Sequence, residues 1–188
     1  VLSLPAHGLM LLVIAATAGC VATTVLTSRA PGMTRRRVPF FSWSALVQAL
    51  ALLIALPVMF GVLIYLFVDA RNAQLVFGGP LGIGNWIGLF FDTPVVYIYA
   101  IPVAGLLAEA MPVAFGRRHP MRQVVFAGLA LIGVAALTGA TLQSDFATTF
   151  NGDGSSVIKH LVVLTFFVAL PLLGGVITLA TAAMVAKP

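Results

Sequence analysis

The chain has 188 residues, of which 61% are hydrophobic and only 8% charged, and its mean hydropathy is +1.11. Soluble domains are about 45–50% apolar and about 25% charged, so this composition excludes an ordinary water-soluble globule and reads as an integral membrane protein. The net charge of +5 does not argue for nucleic acid, because the basic residues cluster in short connections between apolar runs, where they set membrane orientation.

Crossing a hydrocarbon core about 30 Å thick takes about 20 apolar residues. Five runs of suitable length occur in chain order, at about 4–26, 45–68, 86–115, 124–142 and 159–185. The expected fold is therefore all-α, a polytopic bundle of about five transmembrane helices forming a single integral membrane domain over residues 1–188. Cys20, in the first run, is the sole cysteine; it excludes an internal disulfide or a cysteine-based metal site and is expected as a small buried helix residue. The third run is long enough to tilt or to project beyond the bilayer, and Pro94, Pro102 and Pro112 are placed to bend it. The sequence opens on Val1 rather than Met and shows no signal-peptide cleavage pattern, so residues upstream are expected.

Orientation follows from the arginine bias of alternate loops. Arg29, Arg35, Arg36 and Arg37 lie between the first two runs, and Arg117, Arg118 and Arg122 between the third and fourth. The remaining loops carry Arg71 and, at a helix edge, Lys159. Loops 29–37 and 117–122 are thus expected on the cytoplasmic side. The glycine-rich segments "FGGPLGIGN" and "NGDGSS" have turn chemistry; neither has the strand and basic helix that a phosphate cradle requires. His119 beside Arg117 and Arg118 reads as a solvated loop residue, and His160 beside Lys159 as an interfacial one.

The loop "RAPGMTRRRVPFFSW", residues 29–43, closely resembles a segment joining two helices in subunit I of the haem-copper terminal oxidases, of the cytochrome c oxidase type. The resemblance continues in order through "ALPVMFG", "VDARN", "FFDTPVVY", "GLLAEAMPVAF" and "VALPLLGGV". It implies five central helices of a twelve-helix subunit, and the orientation read from charge agrees with that family's. It also implies a location in an energy-transducing membrane, the bacterial inner membrane above all, and other membrane subunits of a respiratory oxidase, with the bilayer itself, as partners.

The departures from the family's pattern bear on chemistry. "FFDTPVVY" is similar to the family's F-F-G-H-P-E-V-Y, whose His binds copper, whose Glu relays protons and whose Tyr is joined to that His. Those three positions read Thr93, Val95 and Tyr97 here, and the family's paired copper-binding histidines fall on Gln143 and Ser144. The lysine of the family's proton path falls on Gly175 and its accompanying threonine on Leu172. Neutral hydroxyls and an amide are poor ligands for a metal that favours imidazole, so no copper is expected in this chain. The family's axial haem ligands lie outside the matched stretch, which places haem and copper in a partner subunit.

Asp92, Tyr97 and Glu109 are the candidate buried polar residues. A carboxylate well inside a span costs roughly 2.5–3.5 kcal/mol on insertion scales, so Asp92 is expected to face the bundle interior, a water pocket or the outer interface, or to be protonated. Two readings stay open: a remnant proton or ion path, or an Asp92 that reaches outer water with a Glu109 that approaches the inner surface or bonds a neighbouring helix. The reading of the whole chain is a non-catalytic, subunit I-like membrane subunit of a respiratory oxidase complex or supercomplex. The alternatives are a fragment of a split oxidase subunit I taking part in oxygen reduction and proton transfer, or a proton-conducting module.

Overall fold

A computed structural model describes residues 3–28, 38–72, 98–119, 121–134, 161 and 164–186. Within them lie α1 (Ser3–Thr27), α2 (Phe40–Asn72), α3 (Ile98–Ala114), α4 (Arg122–Val134) and α5 (Leu170–Ala186). At 1.5 Å per residue, the 25 residues of α1 and the 33 of α2 extend about 37 Å and about 50 Å, enough to cross a bilayer. Helix α2 starts a full turn before the expected 45–68 span, because Phe40, Ser44 and their neighbours find partners on other helices. The third and fourth expected spans are described only over Ile98–Ala114 and Arg122–Val134, and the fifth from Leu161 onward. Pro94, His160 and both glycine-rich loops lie outside the described residues.

Consecutive helices run antiparallel, so the connections 28–39 and 115–121 leave from the same end of the bundle. Helix α2 is central and has two buried faces. On one face, Ala49, Leu56, Met59 and Leu63 meet the α1 stripe of Gly8, Leu11, Ala18 and Ala22. These α1 positions advance by alternating steps of three and four, with Ala15 filling the interval, which is the seam of a shallow left-handed crossing. Cys20 falls off this stripe and is exposed on the open face of α1, not buried as its residue type suggested. On the other face of α2, Ala51 and Ala55 meet Ile98 of α3, and Phe40 joins Ala108 of α3 with Val125 and Leu129 of α4.

Close approaches between helices occur where a side chain is missing. A Cβ at Gly105 would overlap the Ser44 side chain and come within 3.3 Å of the Phe40 carbonyl, so α3 lies directly on α2 there. A Cβ at Gly174 would sit 2.6 Å from the Gly128 carbonyl, so α4 and α5 touch backbone to backbone. Gly133 of α4 makes the same room for Val47 of α2. Lipid tails are as apolar as leucine, so association in a bilayer relies on such close van der Waals contact. Outward-facing Leu9, Val13, Tyr65, Val113 and Leu172 are all more than half exposed, as lipid-facing side chains are.

The described threonine hydroxyls are satisfied inside their own helices. Thr24 Oγ1 donates to the Cys20 carbonyl at 2.7 Å, Thr27 to Thr23 at 2.6 Å, and buried Thr178 to Gly174 at 2.8 Å. A helix can carry these residues through hydrocarbon without an orphan donor. Before α5 the backbone widens into a π-turn over Thr165–Ala169, where Leu170 N–H bonds to the Thr165 carbonyl. Pro171 explains it: the ring has no N–H to continue the ladder and crowds the carbonyl four residues earlier.

The Gly105 contact yields a direct test. Gly105→Ala is expected to destabilise the bundle by about 1–3 kcal/mol through overpacking, read as a lowered thermal unfolding midpoint in detergent. Ser44→Gly in the same chain should restore part of that loss, because the overlapping atoms belong to the Ser44 side chain.

Candidate functional site

A group of polar residues gathers where α2 begins, α3 ends and α4 begins. A helix N-terminus leaves its first amides without intrahelical acceptors. At α2 a neighbouring helix supplies one: Phe40 N–H donates to Glu109 Oε2 of α3 at 2.5 Å. The carboxylate also sits favourably at the positive end of the α2 dipole. The adjacent Val38 carbonyl accepts from Arg122 Nη2 of α4. Arg122 lies across aromatic faces, its guanidinium carbon 4.9 Å from the Phe40 centroid and 5.5 Å from that of Phe126. Phe40 and Phe126 pack at 5.2 Å, Trp43 meets Phe126 edge-on at 5.4 Å, and Trp43 Nε1–H donates to the Phe126 carbonyl at 3.3 Å. Three helices are thus fastened by one carboxylate, one guanidinium and three aromatic rings.

The α3–α4 connection is shaped by a Schellman turn. Gly116 takes φ +60°, its N–H bonding to the Val113 carbonyl at 3.3 Å and that of Arg117 to the Pro112 carbonyl at 3.0 Å. This turn brings Arg117, Arg118 and His119 over the end of α3, where they line an open pocket of about 510 Å³ with Glu109, Arg122 and Phe40. His119 was expected to be solvated; instead it is half-buried, with its ring 5.2 Å from Phe40. Both its nitrogens are shielded from water and have no hydrogen-bond partner, as is Arg122 Nε. Burial, and then the positive charge of Arg122, lower the His119 pKa below the ordinary imidazole value of 6.5.

Of the residues singled out from sequence, Glu109 is committed to the α2 amide. Asp92, Thr93, Tyr97, Gln143 and Ser144 lie outside the described residues. Among the described residues no three of His, Cys, Asp and Glu come together as metal ligands. The chemistry of Thr93, Gln143 and Ser144 does not fit a copper centre that needs imidazole donors. The role of Phe40, Trp43, Phe126 and Arg122 in fastening three helices escaped the sequence reading, which used Arg122 for orientation alone. Their spacing was the available signal: Phe40 and Trp43 are three apart and Arg122 and Phe126 four apart, each pair on one helical face beside a basic loop.

The fold and this interlocked end define a polytopic membrane helix bundle. The family model for cytochrome c and quinol oxidase polypeptide I matches residues 3–187, and the chain belongs to that family. A Streptomyces avermitilis protein provisionally named cytochrome c oxidase subunit 1-beta is 35% identical over 154 residues, covering 79% of this chain and 26% of the relative. Cytochrome c oxidase subunit 1 of Cereibacter sphaeroides is 42% identical over 94 residues, 47% of this chain and 16% of the relative. That of Corynebacterium glutamicum is 29% identical over 153 residues, 79% of this chain and 25% of the relative. The chain therefore spans about a quarter of the length of the curated relatives it matches, and rather less in the Cereibacter case.

Two outcomes follow from the geometry. Glu109→Gln keeps the shape but removes the charge from the bond to Phe40 N–H, and should lower stability by about 1–2 kcal/mol in detergent unfolding. His119 should titrate below 6.5 by NMR, and Arg122→Gln should move it upward. Because its folded pKa is depressed, the unfolded chain binds the proton more readily. His119 then costs no stability above pH 6.5, and stability falls as pH drops from there through the lower folded value. His119→Gln should flatten that part of the stability profile.

Proposed function

We propose that this chain serves as a non-catalytic, subunit I-like membrane subunit of a terminal oxidase complex or supercomplex, with a structural or assembly role in the electron transport chain. The observation that carries this reading is the contrast between a family match over residues 3–187 and the side chains Thr93, Gln143 and Ser144 at the positions aligned with copper-binding imidazoles. Oxygen reduction needs a redox metal, and these three neutral donors are unsuited to hold one. The packing features are those that a scaffold uses: glycine-mediated helix contacts and an end fastened by Glu109, Arg122 and Trp43. In this reading haem and copper reside in a partner subunit. Loops 29–37 and 117–122 face the cytoplasm of a bacterial inner membrane, and the chain's apolar flanks contact lipid and the other oxidase subunits.

A second reading is favoured by the coverage of only about a quarter of each relative's length, 26% for the Streptomyces protein. Here the chain is one piece of a larger subunit I that takes part in oxygen reduction and proton transfer, with Asp92, Tyr97 and Glu109 as candidates for the proton path. It requires imidazole ligands from another segment, although the family places all three within the stretch matched here.

One experiment separates the two. The tagged chain is purified in mild detergent, and copper and the reduced-minus-oxidised haem spectrum are measured on the complex that accompanies it, with and without the chain. The scaffold reading expects haem and copper per complex to stay constant while the yield of assembled complex drops on deletion. Stoichiometric copper on the isolated chain, or its recovery with no oxidase partner, would overturn it.

A further inference from the structure

We propose that His119 is a pH-sensitive latch at the end of the bundle where α2, α3 and α4 meet: protonation drives its ring off Phe40 and releases the α3–α4 connection from α2, while the helices stay fastened to one another.

The His119 ring packs against Phe40, the first residue of α2, with centroids 5.2 Å apart. Its Nδ1 and Nε2 are both shielded from water, and neither has a hydrogen-bond partner. A neutral imidazole carries one N–H, so this seat already leaves one donor unpaired; imidazolium carries two donors and a full charge. Burying an unpaired charge costs far more than burying an unpaired neutral group. The charged groups around the seat do not offset that cost. Arg122 of α4, its guanidinium carbon 4.9 Å from the centroid of the same Phe40 ring, repels a cation there, and Arg117 and Arg118 of the connection line the same pocket. Glu109 of α3, also in the pocket wall, accepts from the Phe40 amide and makes no bond to His119. From α2 the seat receives Phe40, which has no charge. Burial and then Arg122 accordingly hold the ring's pKa below 6.5.

A released ring has somewhere to go. The pocket that His119 lines is open and about 510 Å³ in volume. Three residues earlier, Gly116 sits at φ +60° with open space where a Cβ would stand, so the connection can reorient there without steric cost. The bonds that fasten the helices do not pass through His119: Glu109 takes Phe40 N–H, Arg122 the Val38 carbonyl and Trp43 the Phe126 carbonyl. Opening is therefore local, a change within the folded bundle rather than a loss of it. Proton linkage sets its steepness. A freed imidazole returns to a pKa near 6.5, so each pH unit below that favours the released form by about a further tenfold, until the lower folded value is reached. The latch stands apart from whether the chain is catalytic.

The test is amide hydrogen exchange, read by mass spectrometry on the full chain in mild detergent above and below pH 6.5. His119→Phe is measured beside it, since phenylalanine keeps a ring against Phe40 and takes no proton. Comparing the two proteins at each pH cancels the chemical pH dependence of exchange. Above pH 6.5 the ratio of their exchange rates over residues 115–119 should be constant; below it the wild-type chain should exchange faster, by about tenfold more for each pH unit, with α1 and α2 unchanged. A flat ratio means that the seat accommodates the proton, and overturns the proposal. Equal loss of protection throughout α1 and α2 means general unfolding, and overturns it as well. If His119→Phe does not fold, nitrogen-15 NMR of the wild-type His119 ring carries the test: ring protonation and loss of protection must share one midpoint, and two separate midpoints refute the latch.

Discussion

In hydrocarbon, burying a leucine against another leucine gains little over leaving it in lipid, so a membrane bundle must hold together by fit and by polar bonds. It must also satisfy every backbone group without water. Both demands converge on the start of α2. Its first amide lies among other helices, and Glu109 reaches across from α3 to accept its hydrogen. That bond sets the height of α3 on α2, and Arg122 sets the height of α4 by taking the neighbouring Val38 carbonyl. The glycine contacts then decide how closely the helices approach. Gly105 lets α3 settle onto Ser44, and the Gly128 and Gly174 backbones let α5 settle onto α4.

The same end of the bundle gathers Glu109, Arg117, Arg118, His119 and Arg122 around one open pocket. Arg122 fastens this end: it donates to the Val38 carbonyl and stacks on Phe40 and Phe126, while its Nε has no hydrogen-bond partner.

Membership of the oxidase polypeptide I family and the proposed non-catalytic role are compatible physically. Helix packing depends on the spacing of small and apolar residues along each helix, whereas metal binding depends on a few donor atoms. The seams of α1, α2 and α3 run through Gly8, Ala18, Ala49, Ala55 and Gly105, none of them a donor side chain. In the proposed reading, Thr93, Gln143 and Ser144 in place of imidazoles change the ligand set without changing any of those seam residues. Under the proposed scaffold role, the architecture does not depend on a redox site.

Composition and the length of the apolar runs were enough to read an all-helical membrane chain, because the thickness of a bilayer imposes a minimum length that any sequence must display. Ordered motifs such as "RAPGMT" and "FFDTPVVY" were enough to read the family. Which face of each helix is buried was not legible: helices apolar all round carry no amphipathic stripe, so Cys20 was taken as buried and proved exposed. Nor was the knot of Phe40, Trp43, Glu109, Arg122 and Phe126, whose members bond across 83 positions in the case of Trp43 and Phe126. Partners so distant are chosen by the stacking of helices in three dimensions, and only the tertiary structure could show that the solvated histidine of the sequence, His119, is a half-buried one with two unsatisfied nitrogens.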